Sequence, residues 1–476
     1  MNSSIASFVF ACGIAGLFYL NRDPSLRSSK ALWIPVIWIS LVGSRPISAW
    51  LDIGPSGGNA QLDGSPVDAA IFAVLSLAAI VVLVRRSKQT RELLAANLPI
   101  LIYFSYCLIT VAWSFHPDVA FKRWIKALGD LAMVLVIVTE PRVGDALSRL
   151  FSRVGFVLLP ASVLLIKYYG NLGRGYTPDG APMNTGVTTN KNMLGVMVLV
   201  ISLGTLWRFM TILREKNRPD RRRLLCVQGL LLLNGIVLLK MANSATSSAC
   251  FALGSTIMLI TGLRPFRRQP TRVHILSLGL VLGGALMVLF GGASIATSAL
   301  GRNSDLTGRT DIWAAAIKAA GNPLFGTGFE SFWISPNEQI FWHILDDKGW
   351  WNAKGLNEAH NGYLEVYLNL GWIGVCLIAF ILVTGYARAF AAFRRNPHIG
   401  GLMLAYVIAS AIYSITEAGF RMMDPIWIFL LLAVVGASGV AVARVRSQPR
   451  KVRIPWDDTS AERPSGAGLI PQTENL

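Results

Sequence analysis

The chain has 476 residues, of which 53% are hydrophobic and only 15% charged, with a mean hydropathy of +0.50. That balance excludes a water-soluble globular enzyme and marks an integral membrane protein. The formal net charge of +18 does not mark a nucleic-acid binder, because Lys and Arg cluster in short loops between apolar runs, as orientation in a bilayer demands.

Apolar runs of roughly 18 to 22 residues recur along the chain, long enough to cross a bilayer. Spans are predicted near 3–20, 31–50, 66–84, 97–113, 124–139, 149–167, 190–208, 224–241, 245–263, 273–297, 362–386, 400–418 and 425–443. The expected fold is therefore an all-α polytopic membrane protein of roughly thirteen transmembrane helices. The first run, "SIASFVFACGIAGLFYL", lacks a basic leader and a small-residue cleavage site and reads as a retained span. The span at 31–50 contains Arg45, and that at 124–139 is short. Basic loops such as "RRSKQTRE", "REKNRPDRRR" and "LRPFRRQP" fall on one side, which places the N-terminus outside and the C-terminus in the cytoplasm. Residues 1–447 form the transmembrane domain, and 448–476 a polar, Pro-rich, flexible tail. The five cysteines all fall in apolar runs without CxxC spacing, so they are expected to be buried small hydrophobes with no disulfide or metal role.

Two external segments exceed a turn: 168–191, and about sixty residues from 299 to 360. In the second, "LGRNSDLTGRTDIWAAAIKAAGNP" reads as a short amphipathic helix capped by Thr310 or Asp311 and ended by Gly321, Asn322 and Pro323. Arg309 would then stand beside a helix N-terminus, where free N–H groups favour an anion. Lys122, Arg123, Lys126, Arg174, Lys191, Arg302, Arg309 and Arg421 all lie on the side that should be poor in cations. Snorkelling explains any one of them; for the set, an external anion such as pyrophosphate is the better account. Trp333, Trp342, Trp350 and Trp351 suit an interfacial belt or a sugar-stacking surface. Asp346 and Asp347 have no His or Cys partner at ligand spacing, so no metal site and no cofactor is expected.

"EAHNGYLEVYLNLGWIG", 358–374, places Tyr363, Tyr367, Gly371 and Gly374 within about 60° of His360 on one helical face. A histidine at the wet end of such a stripe is a candidate general base, and Asp311, Glu330 and Glu358 are rival bases. Glu365 and Glu417, near external helix ends, would orient groups or pair with Arg421.

"LGRNSDLTGRTDIW", "NPLFGTGFESFW" and "HNGYLEVYLNLGWIG" together resemble the O-antigen ligase and Wzy-type polymerase superfamily, and are similar to its rhizobial succinoglycan-type exopolysaccharide polymerases. "GVTTNKNMLG" resembles that branch's Lys-Asn-x-Leu-Gly element, with Asn190 where a histidine would be expected. The resemblance covers about residues 180–385 and includes the loop at 299–360. It implies a metal-independent, GT-C-like glycosyltransferase of the bacterial inner membrane whose large periplasmic loop carries short helices. Its substrate would be an undecaprenyl-pyrophosphate-linked oligosaccharide, which it would polymerise or transfer in exopolysaccharide biosynthesis. A chain-length regulator and export proteins would be partners, and nucleic acid would not. On this resemblance His360 and Arg309 would be catalytic, and Arg302 matches the arginine of the family's "LGR" element. Arg302 and Lys191, with the misplaced external cations Arg123 and Lys126, are expected to bind pyrophosphate, and Asn361, Tyr363, Trp313 and Asp311 to bind sugar or shape the site. The sister activity is O-antigen ligation to lipid A core. A lipid-linked sugar or solute transporter would instead need inverted repeats and midplane charges.

Overall fold

The computed structural model describes residues 2–53, 64–177, 180–289, 306–347 and 356–447. It is mostly helical (78%), and the described residues hold a single two-stranded hairpin, β1 (Arg174–Tyr176) with β2 (Pro182–Asn184). The chain opens with α1 (Ser3–Leu20), α2 (Trp33–Val42), α3 (Pro66–Arg85), α4 (Ser87–Ala96) and α5 (Leu98–Thr110). It continues through α6 (Pro117–Val138), α7 (Val143–Tyr168), α8 (Lys191–Arg214), α9 (Arg221–Ala242), α10 (Ala245–Thr261) and α11 (Thr271–Leu289). Two short helices follow, α12 (Leu306–Ala319) and α13 (Pro336–Asp346), before α14 (Gly362–Arg395), α15 (Pro397–Thr416) and α16 (Pro425–Ser447).

Each predicted span overlaps one of these helices, that at 273–297 as far as Leu289, where the described residues stop. Seven of them are long and apolar enough to cross a membrane, and eight if α4 and α5, bent by 87°, are counted as one broken span. The chain is thus an all-α, multi-pass membrane protein. Helices α8 and α15 form the centre, with 72% of their apolar windows buried, against 6% for α1 and α3 at the periphery. The difference follows sequence: α8 reads apolar all round, as a helix enclosed by protein must.

Several expectations change. The span at 31–50 ends at Val42, and Arg45 folds back onto the loop before α8, its Nε donating to the Thr188 carbonyl at 2.9 Å. Of the five free cysteines only Cys107 and Cys250 are buried; Cys12, Cys226 and Cys376 lie on outward apolar faces. Helix α12 begins at Leu306, upstream of Thr310 and Asp311, so neither is its cap. Its expected stop holds, since the Asn322 side chain accepts from the Leu324 and Phe325 N–H groups just beyond it. The tail 448–476 and residues 290–305 and 348–355 lie outside the described residues, and with them Arg302, Trp350 and Trp351.

The single helical stripe behind His360 is also revised. Helix α14 has 34 residues, about 51 Å at 1.5 Å per residue, and it breaks at Gly371, where φ is 64° and ψ is −166°. A break at this depth strands backbone groups that only protein can satisfy. The "NPLFGTGFESFW" segment does so. The N–H groups of Thr327 and Gly328 donate to the carbonyls of Leu368 and Asn369 at 3.1 and 2.8 Å, while Trp372 N–H reaches Pro323 O at 2.9 Å. The Asn369 side chain accepts from Ser331 and Phe332 N–H groups, and Tyr106 Oη donates to Leu370 O at 2.9 Å. Two backbones cross here so closely that a Cβ on Gly371 would lie 2.2 Å from the Leu324 main chain. A Cβ on Gly326 would lie 2.4 Å from that of Asn369.

Gly371→Ala is therefore expected to destabilise the protein by about 2 kcal/mol or more, through both the left-handed φ and the clash. Gly16→Ala, in α1 with nothing within 4 Å, should be neutral or mildly stabilising. Thermal unfolding of the two variants in detergent checks this, and equal midpoints would contradict it.

Candidate active site

The segment before α14 is pinned at every residue. Asn361 is the N-cap, its side chain accepting from Tyr363 and Leu364 N–H groups at 3.0 Å each. Ala359 is fully buried; its carbonyl accepts from Trp313 Nε1 at 2.9 Å, and its N–H donates to Glu365. Between these anchors His360 is forced into the left-handed region at φ 49°. A non-glycine residue there costs about 1–3 kcal/mol, which the surrounding contacts must offset. Glu330 (φ 51°) and Met423 (φ 58°) show the same strain nearby.

His360 meets two carboxylates. Its Nδ1 lies 2.9 Å from Glu358 Oε1 and 3.4 Å from Glu417 Oε2, as an ion pair off the ring's N–H axis. Glu417, at the C-terminus of α15 and almost fully buried, also accepts from Arg309 Nη2 at 2.8 Å and from Asn192 Nδ2 at 3.0 Å. Arg309 Nη1 adds a bond to the Thr416 carbonyl at 2.5 Å. A second cluster adjoins. Arg421 lies 3.3 Å from Glu330 Oε2 and 3.8 Å from Glu358 Oε2, and donates to the Asn357 carbonyl at 3.0 Å, while Arg123 donates to the Glu330 carbonyl. Met423 N–H reaches Asp130 Oδ2 at 2.8 Å, and Asp130 Oδ1 accepts from Trp38 Nε1 at 2.9 Å.

These neighbours decide the ionisation. Burial works against a charge on His360, but Glu358 and Glu417 outweigh it and raise the ring to about 10. Burial likewise opposes a charged Glu358, yet the imidazole, Arg421 and Arg309 hold it below its ordinary value. Asp424 is pushed up to about 8, chiefly by burial. At neutral pH the site thus holds an imidazolium between carboxylates, not the neutral ring a general base requires. One carboxylate of the group stays accessible: the Glu358 side chain is 28% exposed, against 4% for Glu417. The ligand atoms of Glu358, His360 and Glu417 lie within 4.8 Å of one another, close enough to share a cation. With the ring protonated, Nδ1 presents a hydrogen there and no lone pair.

The sequence candidates separate. His360, Arg309, Trp313 and Asn361 come together; the Trp313 indole N–H and the Asn361 side-chain oxygen are engaged with backbone. Arg123 joins through Glu330, with Lys126 one turn away on α6. Tyr363 ties α14 to α15, its Oη donating to Ala411 O at 3.0 Å, so it shapes the site from behind. Lys191 opens α8 beside the site and Asp311 lies on α12, two residues beyond Arg309. Asn190, where a histidine was expected, caps α8 by accepting from Met193 N–H at 2.8 Å. Trp333 serves neither belt nor stacking surface: it is buried and donates to Glu365. Glu417 pairs with Arg309 and not with Arg421. The residue not foreseen is Asn192, for which the only signal was its place in "TNKNMLG".

A titration test follows. A ring raised from 6.5 to about 10 by folding contributes stability that is complete below pH 6.5 and is lost as pH rises through 10. Stability should therefore fall over that window in the wild type, and His360→Ala should abolish this part of the slope. Glu417→Gln should lower the ring's titration point by at least about one pH unit. Histidine-selective NMR reads the ring directly, and an unshifted value would contradict the ion-pair account.

Residues 228–379 match the O-antigen ligase family. Over 294 residues the chain is 26% identical to the exopolysaccharide production protein ExoQ of Rhizobium meliloti (strain 1021), covering 61% of this chain and 65% of that protein. The chain thus spans somewhat less than two thirds of that relative's length. The family match contains Arg309, Glu330, Glu358 and His360, whereas Glu417, Arg421 and Asn192 lie outside it and are brought in by folding. The matched domain and the relative bear out the resemblance of this chain to the O-antigen ligase family and to an exopolysaccharide production protein.

Proposed function

We propose that this protein is a glycosyltransferase of the periplasmic face of the bacterial inner membrane, with thirteen spans and a GT-C-like arrangement. It polymerises oligosaccharide repeats carried on undecaprenyl pyrophosphate in exopolysaccharide biosynthesis, with a chain-length regulator and export proteins as partners. The observation that carries this reading is the convergence of Arg309 and His360 on buried Glu417, with accessible Glu358 beside them.

The chemistry follows from the energy source. No nucleotide is available outside the membrane, so the sugar–diphosphate bond supplies the driving force. As that bond breaks, the acceptor hydroxyl oxygen bonds to the anomeric carbon and the diphosphate leaves with the bonding pair. Fixed cations that meet this growing charge lower the barrier. Arg309 and the His360 imidazolium serve that role, and Arg123, Lys126, Arg302 and Lys191 extend the positive lining toward the lipid phosphates. The hydroxyl proton passes to Glu358, the partly exposed ionised carboxylate, with His360 and Arg421 fixing its position. His360 is thereby reassigned from base to cation. Transfer to a lipid A core acceptor is the second reading, favoured by the description of the matched family as O-antigen ligase.

Purified protein given a lipid-linked repeat and no nucleotide should lengthen the chains. Glu358→Gln should reduce turnover about 10²- to 10⁴-fold, and His360→Ala and Arg309→Ala should each abolish chain lengthening while inserting normally. The pH profile separates the two roles of His360. As a cation it sustains activity across neutral pH and loses it as the ring deprotonates near 10; as a base it would give activity rising tenfold per pH unit up to that point. Normal chain lengths in all three variants would remove the enzymatic reading.

A further inference from the structure

A second feature lies at the far end of the bundle. Helix α8 touches the candidate site through Asn192, and sixteen residues later its Arg208 meets Asp23 at 2.9 Å. That is about 24 Å along the axis, close to the thickness of the hydrocarbon core. Helices α1 and α7 run antiparallel between the same two levels: Ser7 Oγ lies 2.7 Å from Tyr169 Oη near one end, and Phe18 packs edge-on against Phe156 toward the other. At this second level, where the basic loops gather, the chain forms an open-sided cavity of about 580 Å³.

Its walls are apolar and its charge is positive. Phe18, Leu26, Trp33 and Phe156 line it, with Arg149 and Arg153 at one side. Asp23 also contributes to the lining, but its carboxylate is already bound by Arg208 and Arg218. Arg149 is committed to the loop, donating to Ser28 Oγ at 3.0 Å and to the Leu26 carbonyl at 2.5 Å. Arg153 is not. Its guanidinium lies over the Trp33 ring at 4.1 Å, and its Nη1 is buried with no hydrogen-bond partner among the described residues. A buried guanidinium N–H without a protein acceptor is costly, and an anion entering the cavity would supply one. Arginine presents a fork that matches phosphate oxygens, and the aromatic and aliphatic walls suit an acyl chain.

We infer that this cavity binds the phosphate of an anionic phospholipid from the leaflet on the basic-loop side, its glycerol and upper acyl chain packing against Phe18, Leu26 and Phe156. A soluble phosphate shares the anionic chemistry but leaves those walls unused, and a zwitterionic lipid brings a second cation toward the arginines. A lipid held here joins α1, the loop after it and α7, and it ties the peripheral first helix to the bundle.

The test uses detergent-purified full-length protein and native mass spectrometry, with thermal unfolding alongside. Phosphatidylglycerol, phosphatidylcholine of the same acyl chains and inorganic phosphate are added separately. The expected result is one phosphatidylglycerol retained in preference to phosphatidylcholine, with a raised unfolding midpoint that phosphate does not reproduce. Arg153→Gln should weaken that retention on the order of tenfold, and Trp33→Leu by a smaller factor in the same direction. Should Arg153→Gln fail to fold, Trp33→Leu decides the question. Equal retention of the two lipids, equal effectiveness of free phosphate, or unchanged affinity in the variants would overturn the proposal.

Discussion

The site depends on one buried carboxylate. Glu417 ends α15 and receives Arg309 from the loop helix α12, Asn192 from the start of α8 and the imidazole of His360 from the segment before α14. Four stretches far apart in sequence are thus fixed by two oxygen atoms. A carboxylate so enclosed would be expensive without such partners; removal of Arg309 or His360 takes away a compensating charge, and removal of Asn192 a hydrogen bond. The arrangement makes the cluster rigid in the sense that matters for chemistry: each group's position is set by another charged group, not by solvent.

Much of the fold was legible in the sequence because hydropathy reports helices that need apolar surface on all sides. Each of the predicted spans meets a helix. The failures have physical causes. Hydropathy cannot see that the helix stops at Val42 and Arg45 holds a loop, nor that an apolar 34-residue run breaks at Gly371, because the break is stabilised by a segment some forty residues upstream. The site was half legible. His360 and Arg309 stand in local motifs, so their residue types and spacing were readable. Glu417 and Asn192 are ordinary residues at helix ends, and only tertiary structure makes them partners.

The ionisation of His360 was not legible at all, and it changes how the site works. An isolated imidazole reads as a base. Between Glu358 and Glu417 it becomes a cation, because two negative charges at 2.9 and 3.4 Å outweigh the cost of burying a third charge among them. The proton on the ring and the charge on Glu358 then depend on each other, so the pair titrates as a unit. In the proposed reaction this coupling assigns acid–base work to the carboxylate and electrostatic work to the ring.

The strained backbone fits the same logic. Among the described residues, five non-glycine positions have positive φ, and three of them, Glu330, His360 and Met423, border the paired clusters. Each is locked by neighbours: Glu330 by Arg421 and Arg123, His360 by the Ala359 and Asn361 anchors, Met423 by Asp130. Local energy alone would relax all three. They persist because the charges they carry or touch gain more from being held together than the backbone gains from relaxing. A substitution that removed a single ion pair would therefore release strain at the same time as it lost attraction, and its effect on stability would understate its effect on geometry. For a site proposed to present cations and a carboxylate to two large lipid-borne substrates at once, geometry is the quantity that has to be preserved.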